Sequence, residues 1–301
     1  MEDKLSKCYI LITAVKNEEI YLPKLIQSIV NQSVRPKLWV IVDDGSTDRT
    51  PELIKDAKKM YEWIQSIRLE ESVRDRGAHL ANVIRRGINF AYKYCKRSGI
   101  MFEYIGIIDA DVVLEHTYFE NLLKKFENNG ELGVASGGEW IINGGKITYY
   151  KGRYPSGGDV LYRRECYEDC GGVPLTVLWD SVLNTKAKLR GWKVKRFDDC
   201  KAFIMRDHFH ADGLWNGYKR FGESYYIIDH HPFYVIAKGL KMLFKKPYYI
   251  GLAFLYGYLS SIVHRKKKIN DKEVRYYYRY IRPQEAKRYY SHILGCLKRK
   301  K

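Results

Sequence analysis

From residue 8 to about residue 197, short apolar runs alternate with amphipathic stretches, and several of the runs end in acidic turns. No other feature constrains the fold as much, because parallel strands need helical crossovers and a sheet covered on both faces. Residues 8–14 (CYILITA) read as a buried strand, behind which Leu22, Leu25, Ile26, Ile29 and Val30 recur at helical spacing. Residues 38–42 give a second strand, after which Thr50 as N-cap and Pro51 at the first helical position open a helix. Ile67 and Leu69 mark a third strand, followed by a helix from about 77 to 96, a fourth strand at 104–108 and a helix near 118–128. The glycine-rich stretch 132–162 predicts hairpins and a mobile loop. Residues 179–190 read as a helix stopped by Gly191, and 192–197 as a further strand. The expected fold is α/β, with a mostly parallel central sheet flanked by helices.

Ligands of open parallel sheets bind beyond the carboxyl ends of the strands. Asp43 and Asp44 follow the second strand and Asp109-Ala110-Asp111 the fourth, so both clusters point into one crevice. Two carboxylates two residues apart on a turn can approach a hard divalent cation that phosphate oxygens also hold. Such a cation neutralises charge on a departing diphosphate, which a carboxylate cannot do itself. D-x-D is a short pattern, and it gains weight from the second acidic cluster beside it.

The chain has a net charge of +18, which first suggests nucleic acid or an anionic membrane as partner. The excess is not evenly spread: residues 231–301 hold 18 Lys and Arg against three acids, a net +15, so a nearly neutral body precedes a basic tail. In the tail, Phe233, Ile236, Ala237, Leu240, Leu243 and Phe244 form one face of a helix, with Lys238, Lys241 and Lys245 opposite. Residues 248–263 are uncharged but fall short of the roughly 20 needed to cross a bilayer. Basic clusters on both sides favour an in-plane or re-entrant element, the alternative being a core helix packed on the body. The run RYYYRYIR at 275–282 suits lipid headgroups, and no nucleic-acid motif accompanies it. The six cysteines are scattered without a C-x-x-C pair and read as reduced, Cys166 and Cys170 as buried thiols. Residues 1–7 are charged and carry no secretory leader pattern, so a cytoplasmic location is expected.

Taken in order, A-x-x-N-E around Ala14 to Glu18, V-D-D-G-S-T-D (42–48), R-G-x-x-x-x-N (Arg76, Gly77, Asn82), D-A-D (109–111) and Y-R-R-E, G-G, W-D, R-G-W (162–192) resemble the family 2 inverting glycosyltransferases of the GT-A fold. The resemblance covers roughly residues 8–212. It implies a Rossmann-like nucleotide-sugar half (1–112) and an acceptor half (113–230), followed by the basic tail (231–301). By this likeness Ala14 lines the base pocket through its backbone, Glu18 lies near the nucleoside and Asp44 meets the base, with Asp43 supporting it. Asn17 either reaches the nucleotide or caps the first helix, and Arg76 reaches the pyrophosphate. Asp111 is the implied direct ligand of Mn²⁺ or Mg²⁺, Asp109 contacts the ribose or a metal-bound water, and His210 or His208 supplies a further ligand.

Asp180, after Gly171 and Gly172, takes the position of the catalytic base; the acid that usually precedes it is Trp179 here. Residues 217–221 stand where processive relatives carry Q-x-x-R-W and lack both Gln and Trp, so transfer of a single sugar is expected. The implied activity moves a sugar from a UDP- or GDP-sugar to a hydroxyl or phosphate of a glycan or lipid-linked acceptor. It would take place peripherally on the inner face of the cell membrane. Two other readings compete: an anionic-membrane or nucleic-acid binding protein with an inactive body, and a sugar nucleotidyltransferase, for which residues 13–19 lack the glycine-rich loop.

Overall fold

The computed structural model describes residues 8–70, 78–143, 145–206, 213–244, 246–288 and 291. The chain divides into two compact units, Met1–Asp207 and His208–Lys301. In the first, β1 (Tyr9–Val15), β2 (Leu38–Asp43), β3 (Ile64–Arg68) and β4 (Tyr104–Ile108) are all parallel and lie in the order β3-β2-β1-β4. Their crossovers are α1 (Leu22–Val30), α2 (Thr50–Met60) and α3 (Ala78–Ser98).

Beyond β4 the sheet becomes mixed. It continues through β8 (Asp159–Arg163), β6 (Leu132–Asn143) and β9 (Lys193–Ile204) to the short β5 (Val112–Leu114), with β7 (Lys146–Tyr150) paired to β6. A hairpin with Gly145 at φ +80° joins β6 to β7, and so short a connection allows only antiparallel pairing. The helices of this half are α4 (Tyr118–Glu127), α5 (Arg164–Asp169) and α6 (Trp179–Leu189).

Successive strand residues point to opposite faces, and this splits the core into two layers. Tyr9, Leu11, Trp39 and Ile41 join Leu22, Leu25, Phe119 and Leu122 on one face; Ile10, Ile12, Val40 and Val42 join Ile84, Ile88 and Leu183 on the other. Both faces are covered, which explains why the parallel strands read as continuous apolar runs. Helix α3 lies so close to the sheet that a Cβ on Gly87 would sit 2.6 Å from Val42 Cγ2.

Two local expectations fail. Thr50 does not cap α2: its Oγ1 accepts the Glu18 N–H at 2.8 Å, and the Asp48 carboxylate instead accepts the Thr50 N–H at 2.9 Å. Asn17 does not cap α1; at φ +55° its Oδ1 accepts the Thr47 N–H at 2.7 Å, tying the turn after β1 to the turn after β2. The five described cysteines are buried free thiols.

The second unit holds α7 (Leu214–Ile227), α8 (Pro232–Leu243), α9 (Tyr249–Val263), α10 (Lys272–Tyr276) and a π-helical turn, Tyr277–Ile281. Helices α7 and α9 cross with their backbones almost touching: a Cβ on Gly222 would stand 1.9 Å from the Phe254 carbonyl, and one on Gly257 1.9 Å from that of Lys219. Asp229, buried at φ +66°, collects Lys268 at 2.7 Å, Arg275 at 3.0 Å and Arg279 at 3.3 Å. Burial alone would raise its carboxyl; the bonds from Lys268 and Arg275 outweigh this and hold it below the usual range. No helix among the described residues is long and apolar enough to cross a membrane.

Candidate active site

The carboxyl ends of β1, β2 and β4 place their turns together, and each acid there has a distinct partner. Asp43 accepts Arg68 Nη1 at 2.8 Å and the Ser46 N–H at 2.9 Å. Asp44 instead faces His79 at the start of α3, with Nε2 at 2.9 Å from both carboxylate oxygens and Lys16 at 4.0 Å. Ala14 pairs with Val42 in the register beneath them.

The pairing of Val112 with Ile204 brings Arg206 across from Asp111. The Arg206 guanidinium donates to Asp111 Oδ2 at 3.1 Å and to Glu18 Oε1 at 2.7 Å, so one cation bridges two buried acids. Burial raises the Glu18 carboxyl above its ordinary range, against the lowering effect of Arg206. The other oxygen, Glu18 Oε2, is buried without a hydrogen-bond partner. Carboxylate oxygens are the donors a hard divalent ion takes, and here the cation that Asp111 and Glu18 share is Arg206. Among the described residues, no group of three or more His, Cys, Asp or Glu side chains is placed to hold a metal. His208, His210 and Arg76 lie outside the described residues.

Asp180 enters from the other half. Leu178 at φ +52° turns the chain into α6, whose first residues are the buried Trp179 and the half-buried Asp180. Burial raises the Asp180 carboxyl; backbone N–H groups of Ser181 and Gly157 oppose this without cancelling it, and the Glu139 charge adds to the rise. Gly157 and Gly158 join this acid to the D-x-D turn. A Cβ on Gly157 would lie 2.6 Å from the Trp179 ring and 3.1 Å from Asp180 Cβ; one on Gly158 would lie 2.8 Å from Asp109 Oδ2. The Gly158 carbonyl also accepts the Asp109 N–H at 2.9 Å.

Behind this dipeptide lies a second pair of carboxylates. Ser156 Oγ bonds to Glu139 Oε1 and lies 3.0 Å from Asp159 Oδ1; Tyr118 OH lies 2.6 Å from the Asp159 carbonyl and 2.9 Å from its Oδ2, and the Gly137 N–H lies 2.8 Å from Tyr118 OH and 3.2 Å from Oδ2. Glu139 is paired with the buried Arg196 at 3.5 Å. A serine hydroxyl carries one proton and cannot donate to two carboxylates. Burial, and next the Glu139 charge, raise the Asp159 carboxyl to about 7. Burial thus favours a proton on Asp159, which Ser156 Oγ can accept while donating its own to Glu139.

His79, Arg206, Glu139, Ser156 and Asp159 escaped the sequence reading. Arg206 stands in the same R-D-H-F-H string as the two histidines and could have been found as the only permanent cation there. His79 follows Arg76 by three residues, whereas the acid pair is visible only once β6 and β8 are known to be neighbours.

The sequence pattern of the family described as "Glycosyl transferase family 2" matches residues 10–212. The chain belongs to glycosyl transferase family 2. Among relatives, it is 26% identical over 210 residues to a poly-beta-1,6-N-acetyl-D-glucosamine synthase of Staphylococcus epidermidis, covering 62% of this chain and 45% of that protein. It is 29% identical over 150 residues to glycosyltransferase GlyA of Streptococcus pneumoniae, covering 50% of this chain and 19% of the relative. The chain thus spans less than half the length of these curated relatives. Among solved structures, S. aureus TarS (residues 1–349) aligns over 83% of this chain and 70% of its own at TM-score 0.53 and 15% identity. The mannosyltransferase PcManGT of Pyrobaculum calidifontis, in complex with GDP-Man and Mn²⁺, aligns over 85% and 73% at TM-score 0.54 and 18% identity. These structural likenesses establish the GT-A fold.

Proposed function

We propose that this protein is an inverting glycosyltransferase that moves a single sugar from a nucleoside-diphosphate sugar to a hydroxyl or phosphate of a glycan or lipid-linked acceptor. The carrying observation is the Gly157-Gly158 dipeptide, which touches Asp180 on one side and Asp109 on the other. A base and a diphosphate-facing turn held that closely suit a displacement at one carbon. The acceptor O–H gives its proton to Asp180 as the oxygen attacks the anomeric carbon. The bond to the diphosphate breaks on the opposite face, and its electron pair leaves with the diphosphate oxygen. The raised Asp180 carboxyl suits proton capture near neutral pH. Arg206 then has a task beyond its ion pairs: it presents positive charge to the departing diphosphate.

Asp111, with Asp109 and His210 or His208, would hold Mn²⁺ or Mg²⁺; when bound, the ion supplies charge to the same leaving group. Asp44 with Ala14 forms the wall for the nucleobase, Glu18 and Asn17 flank the nucleoside and Arg76 reaches the pyrophosphate. TarS structures hold UDP and UDP-GlcNAc, and PcManGT holds GDP-Man, which supports a UDP- or GDP-linked donor. The basic tail would keep the enzyme peripheral on the inner face of the membrane, for synthesis of a cell-surface glycan or glycolipid.

The test is release of nucleoside diphosphate from a panel of UDP- and GDP-sugars, with and without Mn²⁺, by the wild-type chain and by Asp180→Asn. Transfer should fall at least a hundredfold in the variant while donor binding persists. Wild-type turnover by Asp180→Asn would sink the assignment of the base, and no release by any chain would leave only a binding role.

A further inference from the structure

Helix α9 is apolar all round, yet only one of its faces is buried. Ile250, Ala253, Phe254, Tyr258 and Ser261 pack inward, whereas Leu252, Tyr256, Leu259 and Val263 are exposed, Val263 at 77%. A helix apolar on every side ordinarily lies inside a core or a membrane. Helix α8 repeats the pattern: Val235 and Gly239 are buried, while Phe233 (76%), Ile236, Leu240 and the following Phe244 (86%) stand out in a stripe.

The contacts between the two helices fix the direction of both stripes. Gly239 meets Leu255, and Gly251 meets Leu243 and the Gly239 carbonyl, so α8 and α9 form an antiparallel hairpin. Seen from one end, antiparallel helices wind in opposite senses. Counted round from those contacts at about 100° per residue, the stripe of α8 and the stripe of α9 come to the same side of the hairpin. Lys238 comes to the side away from the stripes, where it bonds Tyr225 OH of α7, and Lys241 to the outer flank. On α7, the partly exposed Trp215 lies against Tyr249 and Tyr256 of α9 at 6.4 and 6.2 Å between ring centroids, which edges the apolar face with aromatic rings.

The charge around this face identifies its occupant. Residues 230–270 contain eight Lys and Arg and no acid; of these, Lys266 pairs with Glu223 and Lys268 with Asp229. Lys246 precedes α9, and Arg265, Lys266 and Lys267 follow it, all exposed. A second copy of the chain would bring the same basic rim against itself, whereas an anionic bilayer offers hydrocarbon to the stripes, an interface to the aromatic rings and phosphate to the rim.

We propose that the α8–α9 hairpin lies in the plane of an anionic lipid bilayer, with Phe233, Ile236, Leu240 and Phe244 and Leu252, Tyr256, Leu259 and Val263 seated among the acyl chains. This deepens the membrane part of the function proposed above, by naming the surface that enters the lipid.

The experiment is vesicle flotation of the full chain in about 0.15 M salt, on phosphatidylcholine alone and on phosphatidylcholine mixed with phosphatidylglycerol. The comparison is with the variant Phe233→Ser, Phe244→Ser, Leu252→Ser, Leu259→Ser, whose substituted side chains are all exposed. Thermal melting confirms that the variant is folded, and single Phe244→Ser and Leu252→Ser variants serve if the fourfold change unfolds it. The expected result is recovery of the wild type with anionic vesicles only, and a drop of at least tenfold for the fourfold variant, or about threefold for each single one. Equal flotation of variant and wild type would overturn the hairpin assignment while leaving a charge-driven tail in place. Wild-type flotation on neutral vesicles as strong as on anionic ones would overturn the anionic requirement. Failure of the wild type to float would remove the membrane reading altogether, and a dimer lost in the variant would assign the face to a second copy. Release of nucleoside diphosphate without vesicles scores the transfer reading separately.

Discussion

Replacement of Asp159 by Asn should make the protein more stable above neutral pH and remove a pH dependence that the wild type carries. Asp159 is 2% exposed and its carboxyl is raised to about 7, against about 3.9 in an unfolded chain. Between these values the folded chain binds one proton more than the unfolded one, so stability falls as pH rises. At about 1.4 kcal/mol per pH unit over roughly three units, the contribution present below pH 4 and lost above pH 7 is ~4 kcal/mol. An Asn side chain fits the same contacts without titrating: its Oδ1 accepts from Gly137 and shares the Tyr118 hydroxyl with the backbone carbonyl of residue 159, and its amide donates to Ser156 Oγ, which remains bonded to Glu139. Urea unfolding of both proteins at pH 4.5, 6, 7 and 8, followed by tryptophan fluorescence, measures the difference directly. The gap should move in favour of the Asp159→Asn variant by several kcal/mol across this range. Stability curves that stay parallel within ~1 kcal/mol, or a variant less stable at pH 8, would refute a proton held by the buried Asp159.

Three further expectations follow from the same contacts. Gly158→Ala places a Cβ 2.8 Å from Asp109 Oδ2, so donor turnover should drop at least about tenfold, with a loss of about 1–3 kcal/mol in a urea melt. Thr50→Val removes the acceptor of the buried Glu18 N–H and should cost about 1–3 kcal/mol by denaturant unfolding, with the Glu18 turn losing protection from hydrogen exchange. Asp229 titrates below its unfolded value, so its contribution is present above about pH 4 and is lost as pH falls through the folded value. Asp229→Asn should therefore lower the melting temperature at pH 7 and narrow its fall between pH 5 and 3, as read by circular dichroism.

The strands β1, β2 and β4 were legible because both faces of a parallel sheet are covered, leaving unbroken apolar runs bounded by acidic turns. The face of α1 was legible from its spacing, and α4 and α6 were legible as helices. Strand β5 escaped because three residues carry no period, and β9 runs on to Ile204 through Asp198 and Asp199, which look like a turn until β6 is seen alongside. At the site, the positions of Asp44, Asp111 and Asp180 at element ends could be read from neighbouring residues. Their partners could not: the pairing of Arg206 with Asp111 spans 95 residues and that of His79 with Asp44 spans 35, and both depend on which elements the sheet brings together.

The Gly157-Gly158 dipeptide acts as a ruler of fixed length between two halves of a reaction. Since neither glycine has room for a side chain, one against Trp179 and the other against Asp109, the proposed base and the D-x-D turn are spaced by a single peptide unit. A side chain at either position would press on Trp179 or on Asp109, so the two acids, Asp180 and Asp109, can move apart only if this peptide moves with them.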